Sequence, residues 1–145
     1  MIIAIDFDST ITTGPYPVIG SAQHGAKDCI NRLYSEGHYI IINTCRCGTH
    51  LLDAINWLLH QGINFHRVND NNPVETARYN NNSRKIFAHL YIDDKQIGEL
   101  PPWNEIYDFI INTDNLWKAS VRASLVDALV ASPIATSPGI AASTL

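Results

Sequence analysis

The chain has 145 residues, 46% hydrophobic and 17% charged, enough for one compact domain with a real core and too few for two comfortable ones. Its net charge of −4 argues against a generic duplex-DNA binder, which would carry a basic surface. No apolar run approaches the roughly 20 residues of a membrane span, and Met1 enters a short apolar strand with no basic leader before it, so a cytoplasmic protein without membrane association is expected.

Ile2-Ile3-Ala4-Ile5 is an apolar run that reads as a buried strand, and it ends in Asp6, Asp8 and Thr10. From Ala22 to Glu36 the residues Ala26, Cys29, Ile30, Leu33 and Tyr34 recur at helical spacing, and Gly37 follows as a stop. Tyr39–Ile42 is an unbroken apolar run that ends in Asn43 and Thr44, a second buried strand. Arg46-Cys47-Gly48 reads as a turn. Thr49 then caps a helix whose predicted buried stripe is Leu51, Leu52, Ile55, Leu58 and Leu59, ended by Gly62.

Phe65 to Asn69 reads as a short third strand, and Asp70 to Ser83, rich in Asn, as loop or short helix. Leu90-Tyr91-Ile92 is another apolar run, and it too ends in acids, Asp93 and Asp94. After Pro101 and Pro102 a short helix is expected through Trp103, Ile106, Tyr107, Ile110 and Ile111. Leu116 to Ala131 reads as a separate amphipathic helix, and the uncharged segment Ser132 to Leu145 as a flexible tail or a docked extension. Strands that alternate with helices predict an α/β fold: a parallel sheet with helices on both faces and all strand C-termini along one edge.

That edge collects the chemistry. It receives Asp6 and Asp8, Thr44, and Asp93 and Asp94, with Lys85 just before the last of these strands. Carboxylates so close repel unless a cation or a shared proton separates them, or curvature of the chain aims one elsewhere. Hard oxygen donors from two strand ends suit Mg²⁺. A hydroxyl, a lysine and a cation around one point form a phosphate clamp. Lys95 competes with Lys85 for the lysine of that clamp, and Arg46 reads equally as a substrate contact and as a structural ion pair. Cys29, Cys45 and Cys47 lack redox or framework spacing and read as free thiols. The six histidines are scattered without ligand spacing.

The motifs Asp6-Phe7-Asp8-Ser9-Thr10, Ile42-Asn43-Thr44, Lys85 and Ile92-Asp93-Asp94 together resemble the haloacid dehalogenase (HAD) superfamily of phosphohydrolases, in its small bacterial form without a cap domain. The resemblance implies a Rossmann-like core over residues 1–114 and an extension over 115–145. It implies Asp6 as nucleophile, Asp8 as general acid and base, and Thr44 and Lys85 on the phosphoryl oxygens. It also implies Mg²⁺ bound by Asp6, by Asp8 through its backbone carbonyl and by Asp93, with Asp94 binding it directly or through an intervening group.

Ser9 replaces the family's usual glycine. The implied activity is hydrolysis of a phosphomonoester. The open site left by the missing cap suits phosphate on a macromolecule, or closure by a second subunit. A nucleic-acid end phosphatase and a non-catalytic phosphate-binding module remain as alternative readings.

Overall fold

The structure is a computed structural model that describes residues 1–14 and 16–131. The elements run β1 (Ile2–Ile5), α1 (Ala26–Ser35), β2 (Tyr39–Ile42), α2 (Gly48–Gln61), β3 (Arg67–Val68), α3 (Pro73–Tyr79), β4 (Leu90–Ile92) and α4 (Trp103–Ala131). Met1–Ile110 form one compact unit, and the described residues from Ile111 to Ala131 belong to a second.

The fold is α/β, as the alternation of apolar runs and helical periodicities predicts. Its sheet has four strands in the order β3-β2-β1-β4. Every pairing is parallel: Ile2–Ile5 beside Tyr39–Ile42, Ile3–Ile5 beside Leu90–Ile92, and Ile41–Ile42 beside Arg67–Val68. The first two crossovers step outward from β1 to β3, and the chain then returns to the opposite side of β1. The strand order therefore reverses between β1 and β4, and the carboxyl ends at such a switch point border a ligand crevice in open α/β sheets.

Side-chain alternation divides the sheet into two faces. Ile2 and Ile41 pack with Ile86 on one face, joined by Tyr39 and Ala88. Ile3, Ile5, Ile40 and Ile42 point to the other and are almost wholly buried. The chain between α3 and β4 thus covers one face of the sheet itself.

Several local expectations change. Residues 22–25 precede α1 rather than belong to it, because Ala22 bridges back to Thr12. Cys47 rather than Thr49 is the N-cap of α2, without a side-chain cap bond. Ala54 and Leu58 are the buried residues of α2, whereas Leu52 and Leu59 are exposed. Those two lie about 120–140° around the helix from the line through Ala54 and Leu58, on its far side.

The two helices expected after Pro102 are one, of 29 residues. The polar stretch Asn112-Thr113-Asp114-Asn115 contains no Gly or Pro to end it. The tail expected over residues 132–145 lies outside the described residues.

No cap-sized insertion interrupts the core among the described residues. After β1 the chain makes a small flap instead. Thr12 bridges Ala22 antiparallel, the Thr13 N–H donates to Ser21 O (2.9 Å), and the Gln23 N–H donates to Ile11 O (2.8 Å). The flap is pinched where Gly14 meets Gly20: a Cβ on Gly14 would lie 2.3 Å from the Gly20 nitrogen. Among the described residues, no helix is long and apolar enough to cross a membrane.

Candidate functional site

The sheet's carboxyl edge holds the acids as the sequence predicts. β1 ends at Ile5, and the Asp6 N–H still reaches Ile92 O (2.9 Å), so the β1–β4 ladder continues into the loops that carry the acids. Carboxylate oxygens of Asp6, Asp93 and Asp94 lie within 4.8 Å of one another. Burial pushes the Asp6 carboxyl up to about 6, and the charges of Asp93 and Asp94 add to the rise. Hydrogen bonds from the Phe7 backbone and from Thr10 oppose it without prevailing.

Thr10 ties the group together. Its buried hydroxyl donates to Asp6 Oδ2 (3.1 Å) and accepts the Asp94 N–H (3.1 Å). One hydroxyl therefore sets both strand ends at the switch point. The Asp93 carboxylate accepts the Lys95 N–H (2.8 Å), an Asx turn that shapes the same loop. Ser9, where the resemblance would place glycine, sits at φ 60 in the left-handed region.

Asp8 is elsewhere. Its carboxylate does not join the three acids but receives the Arg46 fork: Nη2 to Oδ1 at 2.6 Å, and Nε to Oδ1 and Oδ2 at 3.2 and 3.0 Å. Asp8 is thus paired with Arg46, and its carboxylate is not among the three acids that lie together. Arg46 is correspondingly not a free substrate contact. Its side chain is fully buried, with its charge matched by Asp8, and of the two readings of Arg46 the ion pair is the one seen.

Thr44 follows β2 in a nearly buried position, and its Oγ1 accepts the Arg46 N–H (3.2 Å). Asn69 clamps it from β3: Oδ1 accepts the Thr44 N–H (2.8 Å) and Nδ2 donates to Thr44 O (2.7 Å). Asn71 does similar work for the segment that carries Lys85. It bonds the Phe87 N–H (2.7 Å), Ser83 O (2.8 Å) and Asn82 Oδ1 (2.9 Å). Sequence reading assigned no role to Asn69 or Asn71; the available signal was an amide placed directly after a strand.

The two lysines separate. Lys95 ion-pairs with Asp94 and is held in its charged form mainly by that hydrogen bond, helped by the charges of Asp6 and Asp93. Lys85 is exposed, with its ammonium 5.5 Å from the centre of the Tyr91 ring. Trp57 packs edge-on against Phe7, ring centres 5.6 Å apart. Trp103 is buried beside Gly25. Cys29, Cys45 and Cys47 are free thiols.

No protein-family model matches the chain. Over 77 residues, 52% of its length, the chain is 34% identical to human NEDD8 ultimate buster 1, and it spans only 12% of that protein. A solved structure of a conserved protein from Bacteroides thetaiotaomicron superposes on 78% of this chain with a TM-score of 0.71 and 37% sequence identity. Because the match covers 91% of that bacterial chain at this identity, the protein belongs to the family of the conserved Bacteroides protein.

Proposed function

We propose that the protein is a phosphomonoester hydrolase of the HAD type, with Asp6 as the nucleophile. One observation carries the reading. Three carboxylates from two non-adjacent stretches of chain converge at the switch point of a parallel sheet, and the first of them is shifted to about 6 by burial and by its neighbours. A cluster so costly in charge suits a cation site.

Asp6, Asp93 and Asp94 are the residues that would hold Mg²⁺. The ion would keep Asp6 ionised and reduce the repulsion met by an incoming phosphate dianion. The residues of the chain do the rest. Asp6 attacks phosphorus as the ester oxygen leaves, giving an aspartyl-phosphate that water then cleaves. Asp8 serves as acid for the leaving oxygen and as base for the water. Thr44, fixed through its backbone by Asn69, offers its hydroxyl to a phosphoryl oxygen.

Lys85 is the phosphate lysine in this reading, and Lys95 balances the acids. Tyr91, under the Lys85 ammonium, alternates along β4 with Ile92 and shares its side of the strand with Asp93. Phosphoryl transfer asks chiefly for positioning and charge stabilisation, which these groups supply.

Specialisation for nucleic-acid ends would call on Arg46, Arg67, Arg78, Arg84 and Lys85, of which Arg84 and Lys85 are exposed and the other three are engaged by acids. Arg46 is paired with Asp8, Arg67 with Asp70 and Arg78 with Glu75. The test is turnover of p-nitrophenyl phosphate with Mg²⁺, with Asp6→Asn as the control. Mg²⁺-dependent release that disappears in the variant supports the assignment. A wild-type protein inert toward a panel of phosphate esters, or a variant as active as wild type, refutes it.

A further inference from the structure

Arg46 makes more bonds than an ion pair needs. Besides Asp8, its guanidinium donates from Nη1 to Pro17 O (3.1 Å) and from Nη2 to Val18 O (3.5 Å). Its carbon lies 5.1 Å from the Phe7 ring centre and 5.2 Å from that of Tyr16. The Tyr16 ring also meets His50 of α2 edge-on at 5.5 Å. Three parts of the chain thus meet on one buried cation: the turn after β1, the turn before α2 and the tip of the flap.

We infer that Arg46 is a positioning residue that joins the flap to Asp8, so that flap tip and carboxylate move as one body. This rests on the reading of Asp8 as the acid–base group for its catalytic consequence, but the joint itself does not.

Flap tip and carboxylate are coupled because they share one buried cation. A buried guanidinium must keep its donors satisfied, and loss of the Asp8 carboxylate leaves a buried charge uncompensated. Apart from Arg46, the flap tip is held by the ring contact of Tyr16 with His50, and Tyr16 and Val18 are exposed. Its stem is a single bridge with two flanking backbone bonds and two side-chain bonds, Thr13 to Ser21 O and Gln23 to Ser9 O. A change at Asp8 should therefore loosen flap amides, although the bonds from Arg46 to Asp8 and to the flap go to different segments. Lysine cannot substitute, because one ammonium cannot present the planar fork to a carboxylate while also reaching two carbonyls.

The experiment is amide hydrogen exchange on the whole protein, comparing wild type, Asp8→Asn, Arg46→Lys and the double variant. Thr13 and Gln23 report on the flap, and Ile3 to Ile5 on the core. The expected result is exchange about tenfold faster at Thr13 and Gln23 in each single variant, little further change in the double, and an unchanged core. Wild-type exchange at the flap in Asp8→Asn, or additive effects in the double, would overturn the joint. Core exchange that rises by the same factor in every variant would also overturn it, since the effect would then be global.

A second measurement reads the consequence. Gly14→Ala disturbs the flap at the Gly20 contact, six residues after Asp8, without touching the Arg46 fork. It should reduce kcat for alkyl phosphates at least about tenfold more than for p-nitrophenyl phosphate, whose leaving group needs little acid assistance. An equal loss on both substrates would count against the link to Asp8. Failure of wild type to hydrolyse any ester would refute the phosphatase, and the exchange result would still decide the joint.

Discussion

Thr10 shows how much one hydroxyl can organise. It donates to Asp6 and accepts from the Asp94 backbone, fully shielded from water. Thr10→Val keeps the shape and removes both bonds, leaving a buried N–H and a carboxylate oxygen short of a partner. The expected cost is about 1–3 kcal/mol of stability, read from chemical denaturation. In the phosphatase reading, at least about a tenfold loss of kcat accompanies it, whereas Thr10→Ser retains most of both.

Ser9 offers a contrasting test, because its φ of 60 strains a side chain and not a glycine. Ser9→Gly should be neutral or slightly stabilising. Ser9→Val, β-branched, should lower stability by about 1 kcal/mol or more. Equal melting temperatures for the two variants would contradict this account.

At the scale of elements, the strands were legible because apolar runs of four or so residues bounded by polar ones have few other uses. The acids that follow β1 and β4 were legible because alternation and topology bring strand ends together. What could not be read was the partner of each polar side chain. Asp8 and Arg46 are 38 positions apart, and Asn69 and Thr44 are 25 apart. No local pattern encodes such pairs.

The histidines illustrate the same limit. His38, His66 and His89 each stand directly before a strand. The ring of His66 accepts the Ile40 N–H (3.0 Å) and that of His89 the Ile2 N–H (2.8 Å), both through Nδ1. His66 is also stacked between Tyr34 and Tyr39, ring centres 4.5 and 4.2 Å away. These rings finish the ladder at the end of the sheet opposite the acids, and Nδ1 can accept only while unprotonated.

Burial moves the pKa of His66 below 6.5. Its neutral form is therefore favoured by folding, and its contribution is complete above the unfolded value. It declines as the pH falls through 6.5 toward the folded value. His66→Asn offers an amide oxygen to the same N–H and does not titrate in this range. Between pH 7 and pH 5.5 its melting temperature should fall less than that of wild type; an equal fall in both would remove His66 as a cause.

For the molecule as a whole, the acid cluster carries an electrostatic cost that a bound cation would offset. Asp6 is raised from 3.8 to about 6 in the folded chain, first by burial and then by Asp93 and Asp94. A carboxyl whose folded pKa exceeds its unfolded value binds protons more readily when folded. Its stabilising effect is full below 3.8 and lost as the pH rises through 6. At pH 7.5 in a chelating buffer, ionised Asp6 is therefore a liability. Asp6→Asn removes the charge while keeping the size. After allowance for solvent screening it should raise stability by about 1–2 kcal/mol, with the melting temperature moving accordingly.

Mg²⁺ should reverse the order of the two proteins. Wild type gains stability with the logarithm of free Mg²⁺ above its dissociation constant, whereas the variant, with one carboxylate fewer, gains much less. The curves then cross as Mg²⁺ is titrated at constant ionic strength. Parallel curves, or a wild type indifferent to Mg²⁺ at pH 7.5, would show that Asp6, Asp93 and Asp94 share no cation. Their mutual repulsion would then be relieved by a proton on Asp6, and the nucleophile assigned to it would spend much of its time uncharged near pH 6.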